Sequence, residues 1–529
     1  MKDYNKLIEL YDEWFENKEF WFSKNEKIDR YLLNKYIHFY KFLKYIYITS
    51  CEKKLLISCV LLLDQIPRHC KRVYDKNIDV KKYSKIAIHF SEKILDCFDD
   101  FKIEELCFIY LPYRHINNIE NIYEIINIFL NLYNKSQGND RIICKKYIYN
   151  TINNIYKVIN KKNYINNLKV KDWQHINKDI FDKNSLKYNK NIIKNEETNI
   201  YLTIEKQLIN IKDNSTIIIS LSGGVDSMVA LYIIYLLSKT NTNKIINIIA
   251  IHINYNNHET SNDELDFVNY YCNIFNIKLI YRTIYEINRS QCLNNGLRNM
   301  YEDITKKIRF DMYKYGYLHT KNLYVLLGHN KDDCLENIIT NISNKNNYDN
   351  LSGMEYLTNI DNINIWRPML DISKKEIIKF ANSNNIPYLI DSTPKWSMRG
   401  KIRDNLKPVL YDLKNNNSVI DSLFDLKDYL ITSNQIINEI IIDNLFNKLK
   451  KNNNNYSGIY NKNELLSLKY INISILFFKK INIKISFKTI KEFTNYITNF
   501  KRKKIILNKN NSINICNFNK DYVMSIIYN

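Results

Sequence analysis

Hydrophobic residues in the first quarter of the chain recur at the spacing of a helix. Apolar positions such as Ile94, Leu95 and Phe98 follow one another along Lys-rich and Glu-rich segments, without clear strand alternation. Residues 1–135 are therefore predicted to form an all-helical domain. Residues 136–200 are rich in Lys and Asn, and we interpret them as a basic, partly helical linker.

From residue 201 to residue 410, short apolar runs alternate with helical segments. Ser373, followed three residues later by Glu376, is the pattern of a capping box and predicts the start of one of the helices. Continuous apolar strands that alternate with helices are typical of a parallel sheet buried on both faces, so an α/β domain is predicted. The predicted strands are residues 216–221, 245–253, 278–284 and 324–327, and helices are predicted at 228–237 and 299–315.

Residues 411–529 combine both patterns and are predicted to be an α+β region. A helical pattern covers residues 422–449, whereas residues 483–487 and 504–507 look like strands. Basic residues within 486–491 and 501–504 are candidates for contacts with RNA phosphates, although a solvated basic surface explains them equally well. The predicted fold class is a multi-domain chain: all-α, then an α/β parallel sheet, then α+β.

Composition agrees with a globular protein of several domains. The 529 residues exceed what a single hydrophobic core usually serves, and 45% of them are hydrophobic while 25% are charged. The net charge of +21 would suit a polyanionic partner such as nucleic acid. An AT-rich genome, which favours Lys together with Asn, Ile and Tyr, is the alternative explanation of this charge.

The cysteines and the apolar runs exclude some classes of protein. None of the ten cysteines forms a C-x-x-C pair, which argues against a zinc ribbon or an iron–sulfur cluster and for reduced thiols. The first residues lack the apolar segment of a signal peptide, and the longest apolar run, residues 55–63, is too short to cross a bilayer. We therefore expect a cytoplasmic protein with no membrane partner.

One short motif carries the strongest chemical signal. Ser222-Gly223-Gly224-Val225-Asp226-Ser227 lies between a predicted strand and a predicted helix, in a chain that has only nine glycines. Glycines let the backbone approach phosphates, and the N–H groups at a helix start attract anions. The two serine hydroxyls can donate to phosphate oxygens, and Asp226 can hold a magnesium ion. No Gly-Lys-Ser/Thr follows, so the motif is not a Walker loop.

This hexapeptide resembles the PP-loop of the N-type ATP pyrophosphatases, which cleave ATP between its α and β phosphates. Further motifs follow in the order seen in the tRNA(Ile)-lysidine synthase family. They are Ala250-Ile251-His252-Ile253-Asn254, Gly328-His329-Asn330-Lys331-Asp332-Asp333-Cys334-Leu335-Glu336-Asn337, Trp366-Arg367-Pro368, Asp391-Ser392, Arg399 and Ile402-Arg403.

The resemblance implies an activity. Members of that family adenylate C2 of a tRNA cytidine at the wobble position, after which the amine of free lysine displaces AMP. The protein would then be a ligase that forms a carbon–nitrogen bond, with ATP and Mg2+ as cofactors and with tRNA and lysine as partners. The implied ATP-binding residues are Ser222, Gly223, Gly224, Val225, Asp226, Ser227 and His252.

Five residues are the implied catalytic set. Asp226 and Asp333 are candidates for magnesium ligation or for polarising the reacting groups. His329 and Glu336, seven residues apart and so on roughly one helical face, are candidates to orient the base or to take a proton from the amine. Arg403, together with Arg399, is a candidate to bind phosphate or the tRNA backbone.

Some alternatives stay open at this point. Asn330 and Cys334 replace a His and a Gln of the family pattern, and residues 256–258 replace a basic Gly-Leu-Arg, so the nucleophile and the particular tRNA are not fixed. A PP-loop tRNA thiolase is one alternative, although such enzymes generally use C-x-x-C pairs. A non-catalytic RNA-binding protein is the other, and the intact acidic residues argue against it. A dimer is compatible with the sequence, which does not determine the oligomeric state.

The helical domain has a resemblance of its own. Residues 61–68, Leu-Leu-Leu-Asp-Gln-Ile-Pro-Arg, and residues 108–115, Phe-Ile-Tyr-Leu-Pro-Tyr-Arg-His, resemble the bacterial domain of unknown function 924, as does Trp21-Phe22. That resemblance implies a helical, TPR-like fold and no known activity. Asp64, Arg68 and His115 would suit a polar site, but a buried Asp–Arg pair that fixes a helix end is the simpler interpretation.

Overall fold

The structure is a computed structural model, and its elements fall into two compact units. Unit 1 comprises Met1–Val170, His252–Asp266 and Leu279–Tyr315, and unit 2 comprises Lys171–Ile251, Phe267–Lys278 and Gly316–Asn529. The described residues are 2–21, 25–42, 47, 52–73, 78–116, 118–160, 168–182, 198–240, 246–317, 322–343, 353–390, 397–413, 418–452, 455–481, 483, 485–499, 505–508, 511–518 and 521–528.

The first part of unit 1 is helical, as the sequence predicted. Its elements are α1 (Lys2–Glu16), α2 (Glu26–Tyr36), α3 (Lys53–Asp64), α4 (Ile66–Val73), α5 (Val80–Cys97), α6 (Ile103–Ile109), α7 (Leu111–Ile116), α8 (Ile119–Lys135) and α9 (Gly138–Asn160), with 3-10 turns at Lys18–Phe20 and Ile37–Phe42. Helix α3 is buried on all sides from Leu55 onward, which explains its almost uninterrupted apolar sequence.

Helix α9 lies in the segment that the sequence analysis interpreted as a linker. Its residues Cys144, Tyr147 and Ile148 are buried in the same hydrophobic core as α3. Later residues of unit 1, including Ile284 and Met300, join this core as well. Residues from much later in the sequence therefore complete the hydrophobic core of the helical part.

The middle of the chain alternates strands and helices. The elements are α10 (Asn199–Leu208), β1 (Ser215–Ser220), α11 (Val225–Thr240), β2 (Ile246–Asn254), α12 (Ser261–Ile274), β3 (Lys278–Thr283), α13 (Arg289–Asn294), α14 (Arg298–Tyr317), β4 (Leu323–Leu326), α15 (Lys331–Ser343), β5 (Leu357–Ile360), β6 (Ile363–Trp366) and α16 (Lys374–Ser383), with a 3-10 turn at Trp173–His175. The strand order is β3-β2-β1-β4-β6-β5.

The register explains why this sheet has a buried centre. Strand β1 pairs in parallel with β2 and with β4, and β4 pairs in parallel with β6. Ile217, Ile218 and Ile219 of β1 have no exposed surface, as expected for a strand covered on both faces. The predicted parallel sheet is confirmed, and β5, which the sequence did not predict, adds an antiparallel edge beside β6.

The last part of unit 2 is an α+β region, as predicted. Its elements are α17 (Met398–Lys401), a π-helical turn (Ile402–Leu406), α18 (Lys407–Asp412), α19 (Ser418–Ile437), a second π-helical turn (Asn438–Ile442), α20 (Asp443–Asn447), β7 (Lys450–Asn452), β8 (Asn455–Tyr460), α21 (Lys462–Ser467), α22 (Ile471–Lys480), α23 (Phe487–Asn499), β9 (Ile505–Asn508), β10 (Asn511–Phe518) and β11 (Asp521–Tyr528). The five strands form a sheet of order β7-β8-β11-β10-β9.

The predicted strand at residues 483–487 is wrong. No strand is assigned to the described residues of this segment, and Phe487 is instead the first residue of α23. The apolar side chains that follow, Ile490, Phe493 and Ile497, are buried at helical spacing. The strand predicted at 504–507 is present as β9, and residue 504 lies outside the described residues.

The direction of the parallel strands determines where the loops that follow them lie. The parallel strands β1, β4 and β6 end at the same edge of the sheet, so the loops that follow them in unit 2 lie together.

Within the part of the chain that the structure describes, no helix is long and apolar enough to cross a membrane.

Candidate active site

The loop at residues 222–227 connects β1 to α11 and depends on Gly223. This glycine has a positive φ of 86°, a conformation that L side chains rarely adopt. A Cβ at this position would overlap Cδ1 of Leu389 and lie 3.1 Å from its Cγ. The Leu389 backbone N–H donates to the Gly223 carbonyl at 3.0 Å, so the two segments cannot move apart without breaking this bond.

The two serines of the loop hold its shape by hydrogen bonds to each other and to the backbone. The Ser222 and Ser227 hydroxyl oxygens are 3.1 Å apart, and the Ser222 N–H donates to Ser227 Oγ at 3.2 Å. Gly224 N–H donates to Ser222 Oγ at 3.3 Å, and Ser227 Oγ donates to the Gly224 carbonyl at 2.9 Å. Ser222 is exposed and α11 starts at Val225, so the loop presents a hydroxyl and a helix N-terminus to solvent.

Asp226 is held by two donors from other parts of unit 2. Lys374 Nζ donates to its Oδ2 at 2.6 Å, and Asn330 Nδ2 donates to its Oδ1 at 3.0 Å. Burial raises the pKa of Asp226, and the neighbouring Asp333 carboxylate adds to the rise, while Lys374 and Asn330 oppose it. The carboxylate therefore lies in a cluster of alternating charges at the start of α11.

Asn330 connects Asp226 to the second acidic residue, Asp333. The Asp333 N–H donates to Asn330 Oδ1 at 3.0 Å, and the Asn330 N–H donates to Asp333 Oδ2 at 3.2 Å. This reciprocal cap starts α15 and leaves the Asn330 amide group free to reach Asp226. In the sequence, Asn330 stands out only as a departure from a family pattern, whereas in the structure it joins two of the predicted site residues.

Two lysines that the sequence analysis did not single out complete the cluster. Lys374 is the first residue of α16 and lies within the Ser373–Glu376 capping box that the sequence predicted. Its backbone N–H donates to Asp332 Oδ2 at 2.7 Å, and Lys407 Nζ donates to Asp332 Oδ1. Burial alone would raise the pKa of Asp332, but these hydrogen bonds outweigh it and lower the pKa.

Glu336 lies one turn further along α15, between two arginines. Arg403 Nε donates to Glu336 Oε1 at 3.0 Å, and Arg399 Nε is 3.5 Å from Oε2. Arg399 also approaches Asp333 at 3.9 Å, and its side chain is 52% exposed. Burial raises the pKa of Glu336 and Arg403 opposes this rise. Among the described residues, Oε2 has no hydrogen-bond donor although it is buried.

Gly328, between β4 and Asn330, permits close contact with the 222–227 loop. A Cβ on Gly328 would be 3.1 Å from the Ser227 nitrogen and 3.2 Å from Asp226 Cβ, closer than side chains normally approach. The small residue therefore lets the end of β4 approach the start of α11. This approach allows the short hydrogen-bonded chain from Asp226 through Asn330 to Asp333.

For the other residues predicted from the sequence, the structure either gives only their position and burial or does not describe them. His329 follows β4 and is half-buried. His252 is buried near the end of β2 and belongs to unit 1. Asp391 and Ser392 lie outside the described residues. The roles suggested for His329 and His252 stay predictions.

Magnesium fits this site under one condition. Proteins usually hold this ion with one or two carboxylates and the phosphates of the substrate, which matches the pair Asp226 and Asp333. Both oxygens of Asp226 are occupied by donors, however, and Lys374 would have to leave Oδ2 for an ion to bind there. No group of three or more His, Cys, Asp or Glu side chains among the described residues is arranged to hold a metal on its own.

Comparisons with known families match two separate parts of the chain. Residues 196–410 match the family described as PP-loop domain, and residues 10–167 match the family described as bacterial protein of unknown function, DUF924. Both resemblances proposed from the sequence motifs are confirmed. The chain therefore carries a DUF924 domain followed in sequence by a PP-loop domain.

Curated relatives of the PP-loop region share one name. A tRNA(Ile)-lysidine synthase of Mycoplasma mycoides subsp. mycoides SC is 28% identical over 240 residues, which are 44% of this chain and 57% of the relative. Those of Borreliella afzelii, 31% identical, and Staphylococcus aureus, 27% identical, each match 40% of this chain and 47% and 48% of their own length. The chain thus spans about half the length of the curated relatives it matches.

A solved structure also aligns with part of the chain. It is a U34-tRNA thiolase from Methanococcus maripaludis, with a TM-score of 0.35 and 21% sequence identity, covering 44% of this chain and 78% of that one.

Proposed function

We propose that the protein is an ATP-dependent tRNA-modifying ligase that adenylates C2 of a tRNA cytidine and joins lysine to it. The observation that carries this proposal is the linked set Asp226, Asn330 and Asp333 at the start of two helices, directly beside the glycine loop. The names of the relatives that match this region support the choice of tRNA and lysine.

The loop would bind the phosphates of ATP. The exposed Ser222 hydroxyl and the N-terminal N–H groups of the 16-residue helix α11 offer donors to an anion, and Gly223 and Gly224 leave room for it. The cytidine C2 oxygen would attack the α-phosphorus of ATP, and the bond to the β-phosphate would break to release pyrophosphate. The amine of lysine would then attack C2 and release AMP.

Asp226 and Asp333 are the residues that would hold magnesium, which neutralises phosphate charge when it is bound. In the structure, Lys374 pairs with Asp226 instead. The protein would therefore hold the two acidic residues in place, with their charge balanced, before ATP arrives. The two acidic residues would then already be in position, and Lys374 would have to move aside when the metal binds.

Glu336 is the best-placed acceptor for the proton that the amine must lose. Its Oε2 is buried and has no hydrogen-bond donor among the described residues, while Arg403 holds Oε1 at 3.0 Å. Burial raises the pKa of Glu336, which makes its carboxylate more basic and better suited to accept a proton near neutral pH. The exposed Arg399 would contact the RNA or a phosphate.

The C-terminal region is the proposed tRNA-binding part of unit 2. Lys488 and Lys491 are exposed on α23, within the basic segment singled out from the sequence. The net charge of +21 favours binding to a polyanion over the whole chain. Removal of residues after about 415 is expected to weaken tRNA binding and its dependence on salt, and unchanged binding would contradict this role.

Mass spectrometry of nucleosides tests the reaction. Transfer RNA is incubated with the full-length protein, ATP, magnesium and lysine, and digested to nucleosides. A lysine adduct on cytidine is expected with the wild type and not with Asp226→Asn, while the exposed Asp412→Asn serves as a matched control. AMP formed without an adduct would indicate another nucleophile. ATP–pyrophosphate exchange that persists in Asp226→Asn would refute the catalytic assignment.

A further inference from the structure

The two segments that carry the DUF924 resemblance meet in unit 1 around Asp64. Asp64 is the last residue of α3, Arg68 lies on α4, and Arg114 and His115 lie on α7. Tyr147 of α9 packs against Arg114, with the guanidinium carbon 5.2 Å from the ring centre. We call these five residues the Asp64 cluster. The proposed tRNA chemistry uses none of them.

Asp64 has no acceptor capacity left for a further donor. It is 1% exposed and accepts hydrogen bonds from His115 Nδ1 at 2.8 Å, Ser84 Oγ at 2.6 Å, Gln65 Nε2 at 2.6 Å and Arg68 Nη2 at 3.3 Å. Four donors fill the roughly four lone-pair positions of a carboxylate. The carboxylate is therefore committed to these residues and not to Arg114.

Arg114 is a buried cation whose Nε lacks an acceptor within the described part of the chain. The residue is 9% exposed, and its Nε is buried without a hydrogen-bond acceptor among the described residues. The ring of Tyr147 attracts the cation but does not satisfy the N–H groups in the guanidinium plane. Burying a cation in this way costs free energy unless an anion pairs with it.

Two other hydrogen-bond donors of the Asp64 cluster also lack an acceptor among the described residues. Arg68 Nε and the Tyr147 hydroxyl are buried without a hydrogen-bond partner in the described part of the chain. Burial lowers the pKa of His115, which favours its neutral form. Two arginines then face one carboxylate, and the excess is one positive charge together with unused donors.

We infer that the Asp64 cluster binds a small oxyanion, a phosphate or a carboxylate group, on Arg114 and the Tyr147 hydroxyl. The planar fork of a guanidinium matches the paired oxygens of such groups. The side chains of Arg68 and His115 are 25% and 15% exposed, so the cluster has an edge open to solvent. The DUF924 domain thus carries a ligand site separate from the PP-loop.

Calorimetric titration of the full-length protein tests this inference. Inorganic phosphate and acetate are titrated separately at concentrations up to about 20 mM. These concentrations would largely saturate a site whose dissociation constant is in the millimolar range. At least one of them is expected to bind at a site that Arg114→Gln weakens by about tenfold or more, because hydrogen bonds to a charged donor are strong. The two titrations distinguish a phosphate ligand from a carboxylate ligand.

Matched variants separate this site from phosphate binding elsewhere on a basic protein. Arg141→Gln removes the same charge from an exposed arginine that also lies over a tyrosine ring, Tyr133, and it is expected to leave binding unchanged. Tyr147→Phe keeps the ring and removes only the hydroxyl. It is expected to weaken binding about threefold or more, and it decides the matter if Arg114→Gln fails to fold.

The inference is overturned by either of two results. One is that the wild type binds neither anion in this concentration range. The other is that binding is the same in the wild type, Arg114→Gln and Tyr147→Phe, which would make the Asp64 cluster a purely structural ion network. Neither result depends on the activity of the PP-loop domain, so the proposed tRNA modification stands or falls separately.

Discussion

The ammonium group of Lys374 lies 2.6 Å from the carboxylate of Asp226, although the two residues are 148 positions apart in the chain. The acid proposed to bind magnesium is thus already paired with a cation of the protein. A magnesium ion bound by Asp226 would compete with Lys374 for the same oxygen, because Asn330 occupies the other one. This competition leads to a measurable dependence on metal concentration.

Replacing Lys374 is expected to reduce the magnesium needed for ATP binding. In Lys374→Met, Oδ2 of Asp226 is released, and the concentration of magnesium at half-maximal ATP binding should fall about three- to tenfold, as a competing charge at this distance is removed. Binding is measured by titration at a series of magnesium concentrations. Lys375→Met, an exposed neighbour, is the control. An unchanged magnesium requirement would show that Lys374 and the metal do not share Asp226.

The pH dependence of the reaction is expected to report Glu336. Burial has already raised its pKa, and Arg403→Met removes the hydrogen bond that opposes the rise. A general base is active when deprotonated, so activity falls as pH falls through this pKa. The acidic limb of the rate profile should move to higher pH in Arg403→Met.

Two further variants check this assignment. Arg403→Lys keeps the charge and should restore most of the wild-type profile, and Arg399→Met, which removes a more exposed arginine at 3.5 Å, should shift the limb less. If the acidic limb lies at the same pH in the wild type and in all variants, Glu336 is not the proton acceptor.

Gly223 is expected to be essential for stability as well as for ATP binding. Gly223→Ala combines an unfavourable positive φ with overlap against Leu389 and should destabilise the domain by about 1–3 kcal/mol. Scanning calorimetry should show a melting temperature lower by several degrees. Gly224→Ala is the control, since its Cβ would be 3.4 Å from Ser222 Oγ, an ordinary contact. Equal effects of the two substitutions would contradict this steric explanation.

Much of the site follows from the sequence because its parts lie next to strand ends. Asp226 and Asp333 follow β1 and β4, and parallel strands bring such loops to one edge of a sheet. Lys374 and Lys407 were not predicted, because their pairing with Asp226 and Asp332 spans many residues and leaves no local pattern. The local capping box formed by Ser373 and Glu376 around Lys374, in contrast, was visible in the sequence.

The errors in the fold have equally local causes. The segment Ile483-Lys484-Ile485-Ser486-Phe487 alternates apolar and polar residues as a strand does, but Phe487 belongs to the helical spacing that continues to Ile497. Strand β5 was missed because it is short and half-exposed, so it shows no apolar run. Periodicity over five residues does not distinguish a strand from the approach to a helix.

Asp64 is expected to be the main stabilising residue of the helical part. Asp64→Asn leaves Arg68 without its counterion and His115 with a weaker partner, and it should destabilise this part by about 3–5 kcal/mol. Hydrogen exchange of the α3 amides measures the effect. Asp79→Asn, at the N-cap of α5, keeps a good capping side chain and should change little.

The effect of Asp64→Asn should depend on pH with a definite sign. Burial would raise the pKa of Asp64, but His115, Arg68 and Ser84 outweigh it and hold the pKa well below its usual range. A depressed carboxylate stabilises the fold above its unfolded pKa of about 3.9, and this stabilisation is lost as pH falls towards the folded value. The difference between wild type and variant should therefore shrink below about pH 4. A constant difference would contradict the charged form of Asp64.

Transfer RNA binding is expected to depend on α23 more than on total charge. Lys488→Glu with Lys491→Glu reverses two exposed charges on that helix, whereas Lys81→Glu with Lys82→Glu reverses two exposed charges on α5 of the DUF924 domain. Both pairs change the net charge equally. If the lysines of α23 contact phosphates, only the first pair should weaken tRNA binding strongly and lower the salt dependence of log K by about one to two, because fewer counterions are released. Equal losses in both variants would show that tRNA is attracted by overall charge and would leave α23 without a specific role.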